Sequence, residues 1–416
     1  MIARGRVSGV RAGLLDVTMP GACVGQGVRV DATPPRSGTV CAVAAGHAYV
    51  AVHGDVEGLA CGARVDSDPT VLKLPLGTCA LGRAFDATGT PLDGRRPIRG
   101  TTVLIAEPAP MPEDRRPVRK PLWTGIKAID ALLTIGVGAR IGLFGSPGVG
   151  KTTLLESIVG GVRADAVVIG LIGERGREAQ QWIASCNRRT TVICATSDRP
   201  PSERVRAAAV TVAQARALAR RGLNVLIVLD SLARYAAALR ELAIAGGEAA
   251  GRGGYPPSVF AGVAQLVERC SAGPAGSVSL LATVLDDGDD RDPVSDAARS
   301  LLDGHIALSS RLARAGRFPA IDVPSSASRT MAAVAHPAHL RSASAVRAAL
   351  ALLERTDDAR SIGIETTDAA TLRAVAAEHA IESLLRQSAA GVDPQTSLRS
   401  LAAIADTLAE PYGYSE

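Results

Sequence analysis

At 416 residues, 47% hydrophobic and 21% charged, the chain can bury a large core and predicts a folded, soluble protein of two or three domains. Its net charge of +5 is small for this length, Lys and Arg alternate with Asp and Glu, and only 3% of residues are aromatic, so no nucleic-acid partner is expected. Seven scattered cysteines with no CxxC pair argue against a disulfide framework or a zinc site, and neither a signal peptide nor an apolar run of about 18 residues occurs, which points to the cytoplasm and to peripheral membrane contact at most.

Up to about Leu72, short alternating stretches such as Val28-Arg29-Val30 and Tyr49-Val50-Ala51-Val52 between turn residues predict a small β-barrel or sandwich. The proline-rich connector 108–121 (PAPMPEDRRPVRKP) favours extended chain at the surface. From Gly125 to about Ala335, apolar strands (Arg140 to Phe144, Ala166 to Ile172, Thr191 to Ala195, Val225 to Leu229, Ser279 to Val284) alternate with helical stretches, the pattern of a mostly parallel sheet wrapped by helices. From His336 onward, leucines and alanines at helical spacing (Val346 to Leu353, Leu372 to Leu385, Leu398 to Leu408) predict a small helical domain. The predicted division is thus 1–72, 73–335 and 336–416.

Between the strand ending at Phe144 and a helical run lies Gly145-Ser146-Pro147-Gly148-Val149-Gly150-Lys151-Thr152, followed by Thr153, a complete phosphate-binding P-loop. The glycines let consecutive N–H groups face phosphate oxygens, and the helix start adds its positive dipole end. Lys151 is expected at the β- and γ-phosphates of ATP and Thr152 on Mg²⁺. Hydrolysis further needs a carboxylate for the metal, a group that polarises water, and a cation for developing charge. Asp230 closes the apolar strand Val225 to Leu229 and is placed at the metal, with helix capping as the competing role. Glu174 follows the strand Val167 to Ile172 and is assigned to the attacking water, although it could instead pair at the surface with Arg175 and Arg177.

LGRAFDATGTPLDG (81–94), PLWTGIKAIDALLTIGVGARIGLFGSPGVGKTTLL (121–155), LIGERGRE (171–178), ATSDRP (195–200), LDSLARYA (229–236), GGYPPSVFA (253–261), LLDGHIALSSRLA (301–313) and FPAIDVPSSASR (318–329) occur in this order. By these stretches the sequence resembles the ATPases of type III secretion systems, injectisome and flagellar alike, which are related to the catalytic head of rotary ATP synthases. The resemblance implies an α/β fold with a small N-terminal β-barrel, a central RecA-like P-loop ATPase domain with a mostly parallel sheet, and a C-terminal helical domain. It assigns Glu174 as catalytic glutamate, Asp230 as the Walker B aspartate, and Arg329 as an arginine finger entering a neighbouring subunit's site. It also implies a homohexamer, peripheral to the inner membrane, working with stator and central-stalk proteins and with chaperone-substrate complexes. In that family the glycine-rich loop Gly246 to Gly254, read as neither helix nor strand, borders the central channel and is expected to touch the stalk or passing substrate.

Family members carry a leading segment that binds stator and membrane, whereas this sequence starts almost at the barrel, which puts such docking in question. The acidic stretch Gly288 to Pro293 is slightly shorter than usual, and Ala-Gln-Gln-Trp (179–182) and Val263-Ala264-Gln265 differ from the charged residues common there, so divergence is expected in partners rather than in catalysis. The expected function is an ATPase driving chaperone release, unfolding and export of proteins. SDRP (197–200) leans towards the injectisome; a flagellar export ATPase, a rotary synthase subunit and, least favoured, an RNA translocase are the alternatives.

Overall fold

The alternating Val and Leu positions of the N-terminal region close into a barrel and not a sandwich. The structure, a computed structural model, describes residues 3–11, 13–286, 292–361, 368–388 and 391–409; positions 288–291 of the acidic stretch lie outside them. The chain divides into two units, one of residues 1–116, 165–283 and 290–301, the other of 117–164, 284–289 and 302–416.

In the first unit, β1 (Arg4–Arg11), β2 (Leu14–Thr18), β3 (Gly27–Val30), β4 (Arg36–Ala44), β5 (His47–His53) and β6 (Arg64–Ser67) form a barrel in the order β1-β2-β5-β4-β3-β6, sealed by pairing of β1 with β6. Its interior is filled by Leu15, Val17, Val28, Val30, Val40, Val50, Val52 and Val65, every second residue along the strands. Strand β7 (Lys73–Pro75) pairs with β9 (Thr102–Leu104), and β8 (Ala84–Asp86) joins the main sheet. The connector 108–121 contains no buried residue, as its prolines predict, and Arg115 ties it down by a 2.5 Å ion pair to Glu268.

The main sheet of this unit runs β16 (Ser277–Leu285), β15 (Asn224–Asp230), β13 (Ala166–Ile172), β14 (Thr190–Ala195), β8, all parallel. Every residue of β13 and β14 is buried, which explains why these strands are continuously apolar and not alternating. Helices α3 (Gly176–Ala184), α4 (Pro201–Ala219), α5 (Leu232–Ala245), α6 (Pro257–Glu268) and α7 (Pro293–Leu301) complete the unit. Proline opens α4, α6 and α7, where a missing N–H is harmless. The glycine-rich loop departs from expectation in one respect: Arg252–Gly254 forms a 3₁₀ turn, possible because Gly253 (φ 61°) and Gly254 (φ 80°) take left-handed backbone.

In the second unit, β10 (Pro121–Leu122) pairs with β11 (Ile135–Gly136), and β12 (Arg140–Gly145) lies parallel to β17 (Gly304–Leu308), which pairs antiparallel with β18 (Ile321–Ser328). Helices α1 (Lys127–Leu132), α2 (Lys151–Gly161), α8 (Ser310–Arg314) and α9 (Met331–Val334) precede the C-terminal α10 (Pro337–Ser361), α11 (Ala369–Leu385) and α12 (Pro394–Ala409). The last three bury Val346, Leu350 and Leu353, Ala374, Ala377, Ile381 and Leu384, and Leu401 and Ile404, single stripes at helical spacing. Asp130, fully buried on α1, fixes the turn before that helix by accepting from Thr124 N (2.8 Å), Thr124 Oγ1 (2.7 Å) and Gly125 N (2.9 Å). Among the described residues no helix is long and apolar enough to cross a membrane.

Burial also predicts a pH dependence. His53 ends β5 with 7% exposure, its Nε2 3.1 Å from Thr39 Oγ1, and burial, reinforced by the Arg206 charge, pushes its pKa down to about 3. The unfolded chain therefore binds one more proton than the folded chain between pH 3 and 6.5, so stability is lost as pH falls through this window and is flat above it. Between pH 7 and 5 the loss amounts to about 2 kcal/mol. Denaturant unfolding of wild type and His53→Gln at the two pH values should show this loss in the wild type and its disappearance in the variant.

Candidate active site

The loop Gly145 to Thr152 leaves the C-terminal end of β12 and runs into α2. Gly148 (φ 81°) and Gly150 (φ 92°) hold left-handed conformations that would strain any side chain, and Gly150 is the residue from which α2 departs. Val149 is buried and anchors the loop, whereas Pro147, Gly148 and Thr153 are exposed. Lys151 bends back over the loop and donates to the carbonyls of Ser146 (3.2 Å) and Gly145. Ser146 Oγ meets Ser310 Oγ at 2.7 Å. A lysine folded over a glycine-rich loop at a helix start is suited to a polyphosphate.

Beside it in the same unit is a cleft of about 360 Å³ between Gly150, Thr153 and Leu154 on one side and Phe318, Pro319 and Gln387 on the other. Phe318 is 49% exposed, one of few large apolar side chains so placed. Gln387 holds its loop: its N–H donates to the Phe318 carbonyl (3.0 Å), while its side chain accepts from Lys127 N (2.8 Å) and donates to Gly125 O (2.8 Å). The cleft was not apparent from the sequence, although an aromatic residue in an aromatic-poor chain was a signal.

In the first unit, parallel pairing of β13 with β15 sets Leu171 opposite Asp230 and brings Glu174, just past the end of β13, to the same sheet edge. Thr283 Oγ1 on β16 donates to Asp230 Oδ1 at 2.6 Å. Helix α5 is capped by Ser231, whose Oγ accepts from Arg234 N, so the capping role considered for Asp230 falls to its neighbour. Glu174 is 5% exposed and does not join a surface cluster: Arg175 and Arg177 are exposed, and its ion-pair partner is Arg234 of α5 at 3.2 Å. Arg234 also donates to the Gly173 carbonyl. Burial, and next the Asp230 carboxylate, push Glu174 up to about 8 against the opposing pull of Arg234, so it holds its proton more tightly than a free carboxyl.

Arg329 lies elsewhere. Its backbone N–H donates to Asp303 O at 3.0 Å, and Asp303 grips Arg140 at the start of β12. Because β18 runs antiparallel to β17, its end at Ser328 sits by Gly304, which pairs with Ile141, so Arg329 is at the opposite end of β12 from its own phosphate loop. The strand length between them is about 16 Å, more than an arginine side chain spans. Its guanidinium is exposed and has no hydrogen-bond or ion-pair partner among the described residues.

Magnesium bound with a nucleotide takes one or two protein oxygens, of the kind that the Thr152 hydroxyl offers in the second unit and the Asp230 carboxylate in the first, and among the described residues no group of three or more His, Cys, Asp or Glu could form a protein-only metal cage.

A complete P-loop between a strand and a helix in one unit, and acidic residues at the strand ends of a parallel sheet in the other, are the features of a nucleotide-hydrolysing P-loop protein, and residues 125–328 match the ATP synthase alpha/beta family, nucleotide-binding domain. Among similar proteins, the flagellum-specific ATP synthase of Pseudomonas aeruginosa is 42% identical over 87% of this chain and 82% of that protein. The type 3 secretion system ATPase of Sinorhizobium fredii is 42% identical over 80% of this chain and 76% of that one. The solved structure of the assembled ATPase EscN from the enteropathogenic E. coli type III secretion system superposes with a TM-score of 0.91 at 34% identity, covering 96% of this chain and all of that one (100%). The chain belongs to the family of type III secretion system and flagellar export ATPases, and it is an ATPase of that secretion motor. The resemblance of the sequence, the barrel, the parallel-sheet core and the helical C-terminus are all borne out.

Proposed function

We propose that the chain hydrolyses Mg-ATP at sites completed by a neighbouring subunit, and that this work releases substrates from chaperones, unfolds them and drives their export. The observation that carries the reading is Glu174, a buried carboxyl at the sheet edge beside Asp230, held by Arg234. In this mechanism the P-loop amides and Lys151 bind the β- and γ-phosphates, and Thr152 and Asp230 hold the metal. Magnesium bound there supplies charge neutralisation at those phosphates. Glu174, oriented by Arg234, takes the proton of the attacking water. Arg329 of the adjacent subunit meets the charge that develops on the transferred phosphoryl group, a reading supported by its distance from its own loop.

Phe318 and Pro319 form one wall of the adenine pocket in this reading, with α2 opposite. Phe318→Ala is expected to raise KM for ATP by about tenfold through lost stacking while leaving kcat nearly unchanged, as steady-state ATPase titrations would show.

Arg329 in the next site calls for a head-to-tail interface, which makes a ring where the rotation closes, and a homohexamer is the proposed ring. The structure of assembled EscN in complex with its central stalk EscO, 33% identical to this chain with a TM-score of 0.88, supports a stalk partner. The glycine-rich loop before Tyr255, braced by Arg240 at 5.2 Å from the Tyr255 ring, is the proposed channel-side contact. The ring is placed in the cytoplasm against the inner-membrane export apparatus, with stator proteins as further partners.

The cellular test replaces the chromosomal gene with the Glu174→Gln allele and scores swimming and the secreted proteins in the same cultures. Lost secretion with intact swimming identifies the injectisome motor, lost swimming with absent filament protein identifies the flagellar one, and neither defect contradicts an export role.

A further inference from the structure

The first unit contains a cavity of about 620 Å³ where the outer side of β4 and β5 faces α4 and α5. Val205 and Ala209 of α4, Leu239 and Leu242 of α5, and Leu104 make its wall largely apolar. Its size falls in the range of small-molecule sites, which bury an apolar body and fix it by a few polar groups. Neither the barrel core nor the nucleotide chemistry uses this space.

Two polar groups on the wall define the chemistry. His53 is kept neutral by burial and is already satisfied by Thr39 and Ser37. Arg206 donates from Nε to the Ala87 carbonyl (2.9 Å) and from Nη2 to the Val71 carbonyl (2.7 Å), but Nη1 makes no protein hydrogen bond and no carboxylate lies within ion-pair distance among the described residues. Burial draws this guanidinium down to about 10, so it stays charged at neutral pH. A cation held by two carbonyls, with the Asp86 carboxylate acting on it only from beyond ion-pair distance and one donor without a protein partner, is incompletely compensated. An anion would complete it by a charge-assisted hydrogen bond. Glu248, an exposed carboxylate on the same lining, repels a dianion such as a phosphate monoester about twice as strongly as a single negative charge and so favours the latter.

We propose that this cavity binds an amphipathic monocarboxylate of the medium-chain fatty-acid type, its carboxylate on Arg206 Nη1 and its apolar chain lying along α4 and α5. The ligand would touch one face of α4, the helix that follows the 196–200 turn, where Ser197 N–H donates to the Glu174 carbonyl at 3.0 Å.

The test titrates the purified full chain by calorimetry with decanoate, decan-1-ol and decylamine, each below its aggregation concentration. Decanoate should bind one per chain and at least about tenfold tighter than the alcohol or the amine. Arg206→Gln should reduce decanoate to the level of the alcohol. Ala209→Trp, which fills the cavity without removing a polar group, should abolish binding of all three while its thermal unfolding stays cooperative. Decanoate binding no tighter than the alcohol, preference for the amine, or undiminished binding by a folded Ala209→Trp would each overturn the assignment. Should Arg206→Gln fail to fold, the ligand series on the wild type and Ala209→Trp still decide it.

Discussion

Glu174→Gln should lower ATP turnover by about 10³-fold while leaving nucleotide affinity within a few fold of wild type. The substitution keeps the shape of the side chain, and Arg234 retains its bond to the Gly173 carbonyl, so the fold around the strand end is preserved. What disappears is the group that accepts the proton of water, an effect of about 10²- to 10⁴-fold for a positioned base. Glutamine, uncharged at every pH, also avoids the cost of a carboxyl that burial and Asp230 force to hold its proton on folding. The variant should therefore be at least as stable as wild type, which separates a catalytic loss from a structural one. Single-turnover hydrolysis alongside nucleotide binding and thermal unfolding checks all three expectations.

Arg329→Ala should have an effect of similar size, about 10³-fold in kcat for loss of an arginine finger, with unchanged folding and unchanged ATP affinity of the isolated chain. The side chain is exposed and unpartnered among the described residues, so truncation leaves no buried group unsatisfied. An arginine that served only the fold would show the reverse pattern, a lowered unfolding midpoint with turnover preserved.

The phosphate loop was readable in the sequence because its chemistry is local: consecutive amides, one lysine and one hydroxyl are all set by a turn between a strand and a helix. The place of Asp230 and Glu174 at a sheet edge was readable by a weaker signal, a carboxylate at the end of a continuously apolar strand. Arg234 was not, since its meeting with Glu174 depends on β13 and β15 being neighbours, a fact of sheet order that no spacing within the chain encodes. The Phe318 cleft escaped for the same reason: one wall comes from α2, another from the turn before β18, and Gln387 from beyond α11. Barrel closure required the long-range pairing of β1 with β6, which alternation permits but does not select over a sandwich. Helix α10, at 25 residues, outruns the leucine pattern of Val346 to Leu353 because its other turns are largely polar. The role of Arg329 came from family resemblance alone, and strand topology adds an independent reason for it, its distance from the loop of its own chain.

Mixing Glu174→Gln and Arg329→Ala subunits tests the shared site most directly. Each variant alone should be nearly inactive, whereas mixed rings should recover activity that peaks near equal proportions, since up to about a quarter of head-to-tail interfaces in a random ring would pair an intact Glu174 with an intact Arg329. Mixed rings that assemble yet remain as inactive as either variant alone would contradict a site completed by the neighbouring subunit.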